Sequence, residues 1–439
     1  MRTIYTLLTY LLRPVALAAV VWRSVENPAY RVGMRERFGF GPRLPATEVL
    51  WVHAVSLGEV TAAAPLIRAL RIQYPDMSLI LTTATPTGRA RAAALFGASV
   101  VVRFLPYDTP GSMRRFLARA HPRLAIVMET ELWPNLFHRC RQLGIPVVLA
   151  NARLSEKSVA RYRRFGGLFR DVFAGDTVVA AQSAEDAERF IAIGAQRTRT
   201  HVVGNLKFDI EFDGGVLELG RKLRAAYWPD RPVWIAGSTH HGEEELALAA
   251  HSSVQAALPG ALLLLVPRHP ERFQAVADLL NRCGVRFERR SSDNAVRPDV
   301  QVLLVDTVGE LASLYASVDV AFVGGSLVPV GGHNLLEPAA LGVPVITGPY
   351  QANAREIAAL LLREGAALQV GDSADLALKV MELLSDGARR ATVGGRGLHV
   401  VGVNRGSLRR LVELIEPLLA ARRPGAPQPG APRPGAADP

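Results

Sequence analysis

Cysteine is nearly absent from this 439-residue chain: Cys140 and Cys283 are the only two, one in each half. A single pair excludes a disulfide framework, and no Cys/His cluster has the spacing of a zinc site. Such thiols suit a reducing compartment. Lysine is scarce beside arginine, and acids are fewer than bases, 40 against 51, for a net charge of +11. That imbalance favours anionic partners: nucleic acid, anionic lipid or phosphorylated substrates. No Asp-x-Asp motif stands at a strand end, so no required metal is expected. No repeat of roughly 20–50 residues recurs, which excludes a solenoid or propeller. What remains is globular, with hydrophobic residues at 49% and charged residues at 21%. The length favours two domains plus extras.

Long apolar runs are missing too, with one exception. Thr3–Trp22, TIYTLLTYLLRPVALAAVVW, is apolar over about 20 residues and as a helix would extend roughly 30 Å, the thickness of a bilayer core. Arg13 and Pro14 interrupt it. A central arginine costs about 2.5–3.5 kcal/mol on insertion, and proline kinks a helix. Two readings stay open: a spanning helix, or a bent amphipathic anchor in the membrane interface. Arg23, Arg31, Arg35 and Arg37 follow, which places the rest of the chain on the cytoplasmic side. Ala16-Leu17-Ala18 resembles a signal-peptide cleavage site, but Arg13 divides the apolar region and the cysteine usage is not secretory. Tyr30–Phe40 is basic and aromatic, suited either to a membrane-proximal surface or to a solvated helix.

From Glu48 onward, short apolar runs alternate with helical stretches. Val49–Val55, Ser78–Thr82, Val100–Phe104, Leu124–Met128, Val147–Leu149 and Val178–Ala181 read as strands. Val60–Tyr74, Pro110–Ala120 and Trp133–Leu143 read as helices, and Ser183–Asp186 as a capping box. A second series begins at Pro232, with strands Val233–Ala236, Ala261–Val266, Val302–Val305, Val318–Val323 and Val345–Thr347. This alternation predicts two doubly wound α/β domains in tandem. Asp213-Gly214-Gly215 marks the boundary between them. The expected divisions are an anchor at 1–24, a first domain at 25–207, a linker at 208–226 and a second domain at 227–421. The Pro/Gly/Ala-rich tail at 422–439 is expected to be disordered.

The stretch Gly324–Pro349, GGSLVPVGGHNLLEPAALGVPVITGP, organises the second series. A strand, a glycine-rich turn and a helix N-terminus together form an anion site, with free backbone N–H groups pointing outward and the helix dipole positive there, and the stretch reads as the nucleotide pocket of a sugar-nucleotide enzyme rather than an ordinary βα loop. Glu337, in the first turn of that helix, can accept hydrogen bonds from ribose hydroxyls. Elsewhere, polar groups gather where strands end, which is where open α/β sheets bind ligands. His53–Glu59, HAVSLGE, puts a carboxylate at a helix start. Glu59 there suits a general base, or simply complements the helix dipole. Glu129-Thr-Glu131-Leu-Trp133 sends two acids out of a strand, as cleft acids or as caps of the next helix. Lys207, in GNLKFD, suits a phosphate or carboxylate partner. GSTHHGE at Gly237–Glu243, Pro267-Arg268 and Thr307-Val308-Gly309-Glu310 end further strands, with Arg268 a phosphate clamp. Arg153–Arg170 is a basic stretch around Tyr162 and Phe165, suited to lipid phosphates or to a solvated face.

WVHAVSLGE, METELWPN, GNLKFD, AGSTHHGEE, PRHPERF and GGHNLLEPAALGVPVITGP occur in that order. Together they resemble the bacterial 3-deoxy-D-manno-octulosonic acid (Kdo) transferases of lipid A biosynthesis, from the N-terminus to about Leu419. The resemblance implies a GT-B fold, two Rossmann-like domains facing across a cleft. It implies inverting transfer of Kdo from CMP-Kdo to the 6′-hydroxyl of the lipid A precursor, with release of CMP and no cofactor. Its implied partners are that donor, that acceptor and inner-membrane lipids, with no nucleic acid, and the catalytic domains lie on the cytoplasmic side. Glu59 matches the family's base. Glu131 and Lys207 match residues that stabilise the transition state, with Glu129 the alternative acid. Pro267-Arg268, Val308-Gly309-Glu310 and Asn334-Leu335-Leu336-Glu337 match CMP-binding segments. The alternative is another GT-B enzyme, a UDP-sugar transferase or epimerase.

Overall fold

The computed structural model describes residues 1–44, 48–210, 212, 214–292 and 296–420, so the expected tail and Asp213 lie outside the described residues. The chain divides into two compact units: Met1–Asp209 together with the segment from Arg405 onward, and Ile210–Asn404.

Unit 1 is built on seven strands: β1 (Val49–His53), β2 (Ser78–Thr83), β3 (Val101–Phe104), β4 (Pro122–Met128), β5 (Val147–Ala152), β6 (Thr177–Ala181) and β7 (Thr200–Val202). Their order is β3-β2-β1-β4-β5-β6-β7, and every pairing is parallel. Side chains alternate between the faces. Leu50 and Val52 of β1 join one core, with helix Leu57–Gln73; Val49 and Trp51 join the other. Both faces are covered, which is why these strands read as unbroken apolar runs.

Unit 2 repeats the plan with β8 (Val233–Thr239), β9 (Leu262–Pro267), β10 (Phe287–Arg289), β11 (Val302–Leu304), β12 (Val320–Val323), β13 (Val345–Thr347) and β14 (Ala367–Gln369). Their order is β10-β11-β9-β8-β12-β13-β14, again parallel throughout. The order reverses between β1 and β4 in unit 1 and between β8 and β12 in unit 2. Loops at the carboxyl ends of those strand pairs are where such sheets hold ligands.

Two segments depart from the expected divisions. Residues 208–226 are not a simple linker: Val216–Tyr227 is a helix of unit 2. Its Arg224 pairs with Asp319 at 3.0 Å, and the same carboxylate oxygen accepts from Val233 N at 2.9 Å, tying the helix to the start of β8. The helix Ser407–Ala420, expected in the second domain, belongs to unit 1. Leu411, Ile415 and Leu419 form its apolar stripe and enter the core beside Leu50 and Ile67. Asp209 caps this helix, accepting from Gly406 N at 2.6 Å and Leu408 N at 2.5 Å. Gly204 is held to glycine by the approach: an added Cβ would lie 2.3 Å from Ser407 Oγ. Much of GNLKFD is therefore a fastening for the end of the chain.

The N-terminal helix runs unbroken over Arg2–Glu26, through Pro14. The Tyr30–Phe40 segment is not a solvated helix: part of it packs into unit 1, while Arg31, Val32, Arg35 and Phe40 stay exposed. Arg37 is buried, with its guanidinium 4.0 Å above the Phe104 ring. Glu36 holds Arg89 at 2.7 Å and accepts from Phe104 N at 2.8 Å.

Candidate active site

In unit 1 the reversal point carries three carboxylates. Ser56 caps helix Leu57–Gln73, its Oγ accepting from Glu59 N at 3.3 Å. Glu59 turns back on the same corner: it accepts from Val55 N at 2.8 Å and from Ser56 Oγ at 3.3 Å. This is a capping box reaching one residue further back than usual, so the capping reading of Glu59 holds in the resting state. Capping does not make it an ordinary acid. Burial raises the Glu59 carboxyl to about 7; the Val55 hydrogen bond opposes this, and the charges of Glu129 and Glu131 add to it. A carboxyl with that pKa is poised for proton transfer near neutrality.

Glu129 and Glu131 follow β4 and differ from each other. Glu129 has a left-handed backbone, φ 54°, rare outside glycine and concentrated where function requires it. Its carboxylate receives Arg153 Nε at 3.1 Å. Glu131 accepts from the Trp133 indole at 2.9 Å, and burial raises its pKa despite that bond. Lys207 lies half-buried after β7, its ammonium making no ion pair among the described residues. His53 is fully buried at the end of β1; Nδ1 lies 3.0 Å from Thr82 O, and burial lowers its pKa to about 4, so the ring is neutral.

Unit 2 presents a different chemistry. His240 Nε2 lies 2.8 Å from His333 Nε2, with the rings stacked 5.0 Å apart, and His269 meets His240 edge-on at 5.3 Å. A short bond between two Nε2 atoms needs one proton, donated by one ring and accepted by the other. Burial, the neighbouring histidines and Arg268 hold His333 down at about 4. Arg268 is exposed beside them, and its charge also acts on Glu337. Asn334 is exposed and donates to Glu337 at 3.0 Å; burial raises the Glu337 carboxyl. Val308 is 76% exposed next to Gly309, while Glu310 is engaged by Arg290 at 3.1 Å and by Thr307. Leu335 and Leu336 are buried, leaving only backbone groups for a ligand, and Pro267 ends β9.

One expectation is corrected here. The Gly324-Gly325-Ser326 turn does not offer free N–H groups. Glu243, fully buried, accepts from Gly325 N at 2.6 Å, Ser326 N at 3.0 Å, Leu327 N at 2.9 Å and His240 N at 3.2 Å. A Cβ on Gly324 would sit 2.7 Å from that carboxylate. The anion of this turn is the protein's own. Its neighbour Glu244 is likewise consumed, by Arg272 at 2.5 and 3.1 Å and by Thr239 at 3.0 Å. Sequence reasoning did not find Glu243 because three of its four donors lie more than eighty residues away. It also missed the Arg153–Glu129 pair and the His240–His333 bond, each of which joins separate strand ends. Among the described residues no group of three or more His, Cys, Asp or Glu is arranged to hold a metal.

Comparison with known proteins gives the geometry a context. Residues 32–210 match the family model described as 3-deoxy-D-manno-octulosonic-acid transferase, and residues 285–399 match glycosyl transferases group 1. The chain is 42% identical to the 3-deoxy-D-manno-octulosonic acid transferase of Haemophilus influenzae, over 95% of this chain and 99% of that one. The chain belongs to the 3-deoxy-D-manno-octulosonic acid transferase family. The Bordetella pertussis member is 38% identical over 93% of this chain and 99% of its own. Among solved structures, UDP-GlcNAc 2-epimerase from Neisseria meningitidis shares 15% identity with a TM-score of 0.54, covering 84% of this chain and 100% of that one. That likeness concerns the fold, which is GT-B with two parallel Rossmann-like sheets. Family membership makes this chain a Kdo-transferring enzyme.

Proposed function

We propose that this enzyme transfers Kdo from CMP-Kdo to the 6′-hydroxyl of the lipid A precursor, with inversion and release of CMP. The observation that carries the reading is Glu59, a carboxyl raised to about 7 at the reversal point of the unit 1 sheet. As base it takes the acceptor hydroxyl proton as oxygen attacks the anomeric carbon. The C–O bond to CMP breaks, and the nucleotide leaves with the electron pair. Glu59 must release its cap on Val55 N, or share it, when the acceptor arrives. Glu131 and Lys207 stabilise charge in that transition state. Arg153 pairs with Glu129 beside them, and the charges of Glu129 and Glu131 keep the Glu59 proton affinity high.

Unit 2 holds the donor. Arg268 binds the phosphate, Glu337 accepts from the ribose, and Val308, Gly309 and Glu310 line the base. The exposed valine suits a flat pyrimidine, and the Arg268–His240–His269–His333 group suits a doubly anionic donor. The enzyme acts at the inner membrane with its catalytic units on the cytoplasmic side, seated by the apolar helix Arg2–Val25, which by length and composition could cross a bilayer. The basic residues Arg161, Arg163 and Arg164, all exposed, suit the acceptor's phosphates. Nucleotide competition tests the reading: CMP inhibits transfer and UDP does not. Inhibition by UDP alone would move the enzyme to another donor class.

A further inference from the structure

The N-terminal helix does not stand away from the catalytic unit. Tyr5 Oη donates to Asp108 Oδ2 at 2.9 Å, and Thr6 Oγ1 donates to Asn135 Oδ1 at 2.9 Å. The guanidinium of Arg13 lies 4.3 Å above the Phe38 ring. Asp108 is itself buried and caps helix Pro134–Gln142, accepting from Asn135 N at 3.0 Å and Leu136 N at 2.8 Å. The shielded positions of the helix are Arg2, Tyr5, Thr6, Thr9, Arg13, Ala16, Leu17, Val20 and Ser24. They recur at three- and four-residue steps, so they form one face along its whole length. Most of that face is polar. The opposite face is apolar and bare: Leu7 is 65% exposed, Leu11 72% and Trp22 75%, and Ile4, Leu8, Leu12 and Val15 are exposed beside them.

A crossing helix cannot keep these contacts. Docking reaches Arg13, and only the 13 residues from Pro14 to Glu26 remain beyond it. At 1.5 Å per residue they extend about 20 Å, against a hydrocarbon core of about 30 Å. The helix has no acid before Glu26, whereas Arg2, Arg13 and Arg23 lie along it and Arg31 and Arg35 follow it. Basic flanks with a bare apolar stripe fit the surface of an anionic phospholipid bilayer. We infer that helix Arg2–Glu26 lies flat in that surface, polar face docked on unit 1 and apolar face in the lipid, and does not cross the membrane. The inference rests on the membrane seat proposed above. It adds a consequence: the anchor is bolted, through Asp108 and Asn135, to the helix that follows Glu131 and Trp133.

The native Cys283 is exposed and Cys140 is buried, so a membrane-impermeant maleimide reports the side of the catalytic units in sealed vesicles. The test compares full-length native protein with the Thr3→Cys variant in a Cys283→Ser background. Both should label in inverted vesicles and both be protected in right-side-out ones. Labelling of Thr3→Cys from the side opposite to Cys283 would overturn the inference. A second variant, Leu7→Asp with Leu11→Asp, should bind phosphatidylglycerol-containing vesicles at least tenfold more weakly. Its thermal unfolding and its turnover in detergent should be unchanged; unaltered vesicle binding would also overturn the inference. Recovery of native protein free of membranes would defeat the membrane seat itself. Transfer in detergent, read separately by product mass, distinguishes that failure from failure of the proposed reaction.

Discussion

The carboxyl edges of the two sheets share a topology and differ in charge. At the unit 1 edge, the charges of Glu129 and Glu131 raise the proton affinity of Glu59, Glu129 raises that of Glu131, and Arg153 pairs with Glu129. At the unit 2 edge the acids Glu243 and Glu244 are used up inside the fold, and what faces outward is Arg268 with three histidines. On the proposed reading, one edge accepts a proton and the other holds an anion. The difference comes from loops alone, since the strands beneath are interchangeable apolar ladders.

The comparison breaks most sharply at Glu59. Glu59→Gln should lower turnover by about 10²–10⁴-fold while CMP binding, measured by calorimetry, stays the same. Next in size is Glu243→Ala, which strands three buried N–H groups and a half-buried one. It should destabilise unit 2 by about 3 kcal/mol or more, read as loss of thermal stability with unit 1 melting unchanged. Arg268→Ala should weaken CMP about ten- to a hundredfold, the worth of a charge-assisted hydrogen bond, with Glu59-dependent chemistry intact at saturation.

A smaller effect sharpens the account of unit 1. The rate should rise with pH to a plateau set by the Glu59 carboxyl, about 7. Glu129→Gln removes a charge that raises this pKa, so the acid limb should move to lower pH. The stability sign is opposite to that of a salt-bridged acid. Folded Glu59 holds its proton more tightly than the unfolded chain does. Its contribution to stability is therefore complete below the ordinary carboxyl value of 4.5 and is lost as pH rises through about 7. Glu59→Gln should flatten the dependence of unfolding free energy on pH in that window. The smallest expected effect is that of a chelator: EDTA should leave the rate unchanged.

The two edges were unequally readable from sequence. Strands buried on both faces announce themselves as apolar runs, and β1, β4, β8 and β12 were placed from them. The edge strands β7, β10 and β14 were not, because three half-exposed residues carry no period. Ser183 was readable as a cap, and its Oγ accepts from Asp186 N at 3.1 Å. Glu59 was readable because strand end, glycine and helix start are consecutive. The glycine turn at Gly324 was misread because its anion, Glu243, arrives from the start of the helix that follows β8. The destination of helix Ser407–Ala420 was not readable, since Asp209 meets it across almost two hundred residues.

The account's central claim is that Glu59 is the base of Kdo transfer, and product mass tests it most directly. Detergent-solubilised enzyme would be given freshly made CMP-Kdo and tetra-acylated lipid A precursor, with Glu59→Gln in parallel and its fold and CMP binding verified. The account predicts a mass gain in Kdo units for the native enzyme and almost none for the variant. Comparable gains in both would contradict it.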